Sequence, residues 1–220
     1  MKDNLLIFGD SYSTYKGCIP EGYVYYYSEE GTDPEHPIRK MHKEETWWHR
    51  YISATGADLI RNDSWSGSTV CYTRYGGEDC SHSSSFIYRY RRLKDLGFFD
   101  NNRIDTVIVL GATNDSWCDA PLGELTFGGE SENDLRSVLP AISHFMRVLR
   151  ADLPDARILY AINSDVIKPK ITEAIEELGE RFGFDTVRLE GIDKLEGHPT
   201  ADGMAQICNY VRGFFDKGNG

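Results

Sequence analysis

Ile104-Asp105-Thr106-Val107-Ile108-Val109-Leu110 is the stretch on which the fold turns. It is rich in β-branched residues and apolar almost throughout, and it stops at Gly111. Runs of this kind belong to strands buried on both faces, as in the middle of a parallel sheet. Four more runs fit as companions. Asn4-Leu5-Leu6-Ile7-Phe8 opens the chain and empties into Gly9-Asp10-Ser11, and Ala57 to Arg61, Arg157 to Ile162 and Phe184 to Leu189 follow. Helical patterns separate them. One runs from Glu44 to Thr55, closed by Gly56, and another from Ser85 to Leu96, with Phe86, Tyr90, Leu93 and Leu96 at helical spacing. From Ser131 to Arg150 an apolar stripe of Leu135, Val138, Leu139, Ile142, Phe145, Met146 and Leu149 predicts the strongest helix. Ser131 with Asp134 suits a cap, while Pro140 on the stripe predicts a kink or a break. Residues 169 to 182 and Thr200 to Phe215 complete the set.

Strands alternating with helices predict a parallel sheet covered on both faces and linked by right-handed crossovers. The expected fold is α/β, with a five-stranded parallel sheet. The 220 residues fit one domain, with an irregular insertion at about 12–43 that carries Pro20, Pro34, Pro37 and Tyr23, Tyr25, Tyr26 and Tyr27. Asn62 to Ser68 reads as a turn-rich loop.

Composition narrows the function. A hydrophobic share of 40% supplies a core and argues against disorder. A net charge of −11 with no offsetting basic run argues against nucleic acid and anionic membranes, and it favours a neutral substrate. No apolar stretch approaches the roughly 20 residues of a membrane span, and no signal-peptide pattern precedes Asn4. The chain therefore reads as cytoplasmic, or as a mature form freed of its signal. Cys18, Cys71, Cys80, Cys118 and Cys208 are odd in number and irregular in spacing, so free thiols are expected, with a Cys71–Cys80 bridge as the alternative. His36, His42, His49, His82 and His144 have no metal-ligand spacing.

Ligands of open α/β sheets bind at the carboxyl ends of the strands, where Ser11, Asn114 and His198 all fall. In this order Gly9-Asp10-Ser11, Asn62 to Gly67, Gly111-Ala112-Thr113-Asn114-Asp115 and His198-Pro199 resemble the four sequence blocks of the SGNH (GDSL) hydrolase superfamily. The resemblance spans nearly the whole chain and implies a flavodoxin-like three-layer α/β/α sandwich. It implies Ser11 as nucleophile and His198 as base. It also implies an oxyanion hole formed by the Ser11 amide, the Gly67 amide and the Asn114 side chain. A serine hydroxyl needs such a base, and oxyanion donors are worth about 2.7–4 kcal/mol each.

One position departs from the family pattern. The acid usually stands three residues before the histidine, where this chain has Leu195. Glu196 is the nearest substitute and the expected third catalytic residue. Asp193 and a backbone carbonyl at the far imidazole nitrogen are the alternatives. Trp65 and Trp117, each within three residues of an oxyanion candidate, are expected to bind substrate. Trp47 and Trp48 have a core reading, and Asp10 and Asp115 read as loop holders.

The expected function is hydrolysis of a short acyl ester, of which an O-acetylated carbohydrate is one, with no metal or organic cofactor. Two alternatives are a non-catalytic binding module and a nucleotide or flavin protein on the same fold. The second would use the hydroxyl-rich loop Gly9 to Thr14, although a glycine-rich phosphate fingerprint is lacking.

Overall fold

In the computed structural model, residues 2–31 and 39–217 are described. Pro34, His36 and Pro37 of the predicted irregular stretch lie outside them. Five strands form one sheet: β1 (Asn4–Gly9), β2 (Asp58–Ser64), β3 (Thr106–Leu110), β4 (Arg157–Ile162) and β5 (Asp185–Arg188). All are parallel, in the order β2-β1-β3-β4-β5, so the Ile104–Leu110 run supplies the middle strand. This is the doubly wound order of flavodoxin-like folds. A second ladder of two residues a side, β6 (Lys194–Leu195) and β7 (His198–Pro199), is antiparallel.

The helices are α1 (Trp47–Thr55), α2 (Phe86–Asp95), α3 (Phe98–Asn101), α4 (Thr113–Trp117), α5 (Val138–Asp152), α6 (Pro169–Phe182) and α7 (Ala201–Lys217). The period of two along the strands assigns the layers. Leu6, Phe8, Val107, Val109, Ile158 and Tyr160 face α2, α5 and α6. Leu5, Ile7, Ile108, Leu110, Leu159 and Ala161 face α1 and α7. Each such side chain, fully buried, contributes about 1.5–3 kcal/mol. No described helix is long and apolar enough to cross a membrane.

Two expectations need correction. First, β2 runs on through Asn62-Asp63-Ser64, residues that read as a turn. Tertiary partners override their turn preference. Asn62 Nδ2 donates to the Ser13 carbonyl (2.8 Å), Ser64 Oγ donates to Asn62 Oδ1 (2.5 Å), and Asp63 pairs with Arg61 (2.7 Å) and Arg89 (3.0 Å).

Second, the long helix from Ser131 is two pieces. A 3₁₀ turn at Asp134–Arg136, held by the Ser131–Asp134 cap, is followed by extended Ser137 before α5 begins. Pro140 then sits in the first turn of α5, where a missing N–H costs no intrahelical bond. His198-Pro199 forms β7, just ahead of α7. Thr200 Oγ1 accepts from Gly203 N (3.1 Å) at the head of α7. Trp47 and Trp48 are both buried, and the five cysteines are free thiols.

Candidate active site

The carboxyl ends of β1, β2 and β3 lie side by side, and each ends in a tight turn. At Gly9 a Cβ would meet Ser64 Oγ at 2.5 Å and Ser13 Cβ at 2.6 Å, so only glycine lets the chain turn there. Asp10 then caps a single 3₁₀ turn, Ser11–Ser13, by accepting from Tyr12 N (3.0 Å). The carboxyl of Asp10 is wholly buried, and burial pushes it up to about 7. Trp47 Nε1 donates to Ser13 Oγ (3.1 Å), which ties α1 to the same turn. Ser11 keeps 3% of its surface exposed.

Trp65 N donates to the Gly9 carbonyl (3.1 Å), and the chain turns from Trp65 to Ser68 (N···O 3.2 Å). Gly67 has a φ of +77°, and no atom lies within 4 Å of where its Cβ would be. Glycine supplies the left-handed backbone and leaves the space above it clear. After β3, Ala112 also takes a left-handed φ of 69°, a cost of about 1–2 kcal/mol for a residue with a side chain. That turn sets Asn114 in the first turn of α4. Asn114 Nδ2 donates to the Ser68 carbonyl (3.1 Å), and Tyr75 Oη donates to Asn114 Oδ1 (2.8 Å). The Asp115 carboxylate accepts from Val70 N (2.8 Å) and Cys71 N (3.0 Å), holding the loop beyond Gly67.

Arg89 joins the turns after β1 and β2. Its five N–H groups find five acceptors: the Ser84 carbonyl (3.0 Å), the Asp63 carbonyl, Asp63 Oδ1 (3.0 Å), the Gly9 carbonyl (3.2 Å) and Ser68 Oγ (3.2 Å). The guanidinium is fully buried, which is tolerable only because it is paired and bonded throughout.

His198 arrives on the β6–β7 hairpin. Glu196 (φ 51°) and Gly197 (φ 78°) are both left-handed, as a two-residue type I′ turn requires. This turn places His198 Nε2 3.1 Å from Ser11 Oγ. The group opposite His198 Nδ1 is the main-chain carbonyl of Glu196, at 3.2 Å. The expectation that the Glu196 carboxylate would reach that nitrogen is corrected by this geometry, because the I′ turn presents the peptide oxygen first. Asp193 is engaged elsewhere, its carboxylate accepting from Thr200 Oγ1. A carbonyl oxygen can only accept, so it fixes the proton on Nδ1 and leaves Nε2 free to take the Ser11 proton. Burial pushes the imidazole down to about 4, and the Arg39 charge pushes the same way. The Glu196 carbonyl and charge oppose both.

Of the two predicted aromatic contacts, Trp117 reaches His198, with ring centroids 5.6 Å apart. Trp65 pairs with Tyr23 at 4.5 Å. Tyr26 stacks on the imidazole, with centroids 3.7 Å apart and planes 5° from parallel. Sequence reasoning missed Tyr26, Tyr75 and Arg89. Only Arg89 carried a usable signal, a cation on the inward stripe of a helix that also holds Phe86, Tyr90 and Leu93.

A hydroxyl and a neutral imidazole at this distance are the parts that acyl transfer by a serine–histidine pair requires. Comparison with known proteins gives the family. The GDSL-like lipase/acylhydrolase family profile matches residues 3–215. A chain described as a GDSL-like lipase from Bacteroides ovatus ATCC 8483 superposes with a TM-score of 0.87 at 29% identity, covering 99% of each chain. One so described from Bacteroides uniformis ATCC 8492 superposes with a TM-score of 0.85 at 35% identity, covering 98% of this chain and 96% of the other. An acetyl xylan esterase from the rumen bacterium Butyrivibrio proteoclasticus shares the fold, with a TM-score of 0.61 at 19% identity over 98% of this chain and 64% of its own. Among curated proteins nothing matches. With the profile running from β1 to α7 and the lipase-like chains matched end to end, the protein belongs to the GDSL-like lipase/acylhydrolase family and is an ester hydrolase.

Proposed function

We propose that this hydrolase is a serine esterase that cleaves short acyl esters, O-acetylated carbohydrates foremost, through an acyl-Ser11 intermediate. The observation that carries the reading is the 3.1 Å approach of His198 Nε2 to Ser11 Oγ. That distance lies within the reach a general base needs. Ser11 Oγ attacks the ester carbonyl carbon while its proton passes to Nε2. The carbonyl π electrons move to oxygen, which takes hydrogen bonds from the Ser11 amide, the Gly67 amide and Asn114 Nδ2. The intermediate collapses, the C–O bond to the alcohol breaks, and the imidazolium returns its proton to the departing oxygen. Water then repeats the sequence on the acyl-enzyme and releases the acid.

The neutral, low-pKa imidazole supports this order, since the resting base is unprotonated at neutral pH. The carbohydrate class rests on analogy with the acetyl xylan esterase that shares the fold and on the aromatic ring of Trp117 beside the base.

The test compares p-nitrophenyl acetate, butyrate and octanoate, and acetate release from acetylated xylan, for the wild type and Ser11→Ala. Falling kcat/KM with chain length and a dead Ser11→Ala enzyme are expected. Equal turnover of the octanoate would overturn the short-acyl assignment, and an active Ser11→Ala enzyme would overturn the nucleophile.

A further inference from the structure

Leu195 occupies the place of the acid, half exposed, and yet His198 is set at bonding distance from the nucleophile. A ladder of two residues a side is too short to hold a catalytic base by itself. Something else must fix the hairpin, and the segment after the nucleophile does so. Tyr12 Oη donates to the Gly197 carbonyl (2.5 Å), and Tyr27 Oη donates to the Pro199 carbonyl (2.9 Å). The main chain is thus bonded on both sides of His198. The Tyr12 hydroxyl is aimed in turn by Asn163 Nδ2 (3.2 Å). Between these two anchors the Tyr26 ring lies flat on the imidazole.

The same segment is tied to the nucleophile. Thr14 Oγ1 donates to the Ser11 carbonyl (3.0 Å) and accepts from Tyr26 N (2.9 Å). One hydroxyl therefore separates the carbonyl of the nucleophile from the backbone of the residue stacked on the base. Lys16 N donates to the Tyr27 carbonyl (3.0 Å) and closes the loop.

We propose that Tyr12, Tyr26 and Tyr27 are positioning residues that fix His198 against Ser11 in place of the missing acid. The inference rests on the Ser11–His198 reading above. Tyr12 and Tyr27 fix where the hairpin sits, Tyr26 fixes the plane of the ring, and the Glu196 carbonyl fixes the tautomer. These supports are neutral. They supply the orientation that a carboxylate would give without its charge, which is the part of the acid's role that geometry can replace.

The test uses Tyr26→Leu, Tyr26→Phe, Tyr12→Phe and Tyr27→Phe, measured by steady-state kinetics, by fluorophosphonate labelling rate and by thermal unfolding. Tyr26→Leu should lower kcat and the labelling rate about 10- to 100-fold, the penalty of a misplaced base, with KM within about threefold. Tyr26→Phe keeps the stacked face and should restore both rates. Tyr12→Phe and Tyr27→Phe each remove one oxygen at nearly constant volume, and each should lower kcat about 5- to 20-fold. Unchanged kcat in Tyr26→Leu, or equal losses in Tyr26→Phe and Tyr26→Leu, would overturn the role of the ring. Should Tyr26→Leu fail to fold, Tyr12→Phe and Tyr27→Phe carry the test, and wild-type kcat in both would overturn the proposal. Ser11→Ala separates the two levels. If it stays active the serine reading fails, and if it is dead while the tyrosine variants are unaffected only this inference fails.

Discussion

The two halves of the candidate site are held by opposite means. On the nucleophile and oxyanion side, charge holds the turns. Arg89 and Asp63 pair in full burial, and Arg89 reaches the backbone of Gly9 and the side chain of Ser68. Asp115 gathers the amides of Val70 and Cys71. On the base side, phenol hydroxyls, a stacked ring and a peptide carbonyl surround His198. The difference teaches where charge is useful. A carboxylate against Nδ1 would raise the imidazole pKa, whereas burial, with the Arg39 charge acting the same way, leaves it depressed and the base ready at low pH.

The largest expected effect tests the junction of the halves. His198→Ala should cost about 10³-fold or more in kcat with a folded protein, since losing one member of such a unit costs nearly as much as losing both. A loss under tenfold would separate the base from the chemistry.

Next, Asn114→Ala should lower kcat about 10²–10³-fold with little change in KM. Tyr75→Phe, which removes the donor to Asn114 Oδ1, should cost about tenfold on the same footing as a polarising hydrogen-bond chain. The two losses should not add, and a double-mutant cycle measures this.

On the charged side, Arg89→Met leaves Asp63 buried with only Arg61 beside it. Urea unfolding should report a loss of about 3 kcal/mol, the lower end for a broken buried pair. No comparable loss is expected from Tyr12→Phe, and an equal one would erase the contrast between the two sides.

The acid limb of kcat/KM sharpens the comparison further. The reaction needs neutral imidazole, and burial lowers its pKa from 6.5 to about 4, so activity should persist at pH 5 and halve near pH 4. An inflection near 6.5 would mean that the pocket is wet. The same shift has a stability sign. The folded state binds fewer protons at His198 than the unfolded state between pH 6.5 and 4. This contribution is therefore full above 6.5 and declines as the pH falls through that window. The smallest effect is expected of Glu196→Gln, within about threefold in kcat, because the peptide oxygen and not the side chain meets Nδ1.

Much of this layout is legible in the residues themselves. β1, β3 and β4 are unbroken apolar runs because both of their faces are covered, and such runs announce themselves. Ser11 and Asn114 stand just past the ends of β1 and β3, whereas His198 arrives on the short β6–β7 hairpin. The rest depends on partners far along the chain. Asn62-Asp63-Ser64 carries turn chemistry, and it is the pairing with β1 together with Arg61, Arg89 and Ser13 that keeps it extended. Tyr26 sits in a segment with no period, so nothing local distinguishes it from Tyr25. The Glu196 contact is a matter of φ signs at two adjacent residues, and side-chain length misleads there.

Ser11 and His198 are 187 positions apart, one following β1 and the other on a hairpin packed against α7. Contacts of such separation form late, because loop-closure entropy opposes them until the intervening structure exists. Catalytic competence in a refolding chain is thus a clock for its final docking event, and the return of turnover should trail the recovery of helical ellipticity.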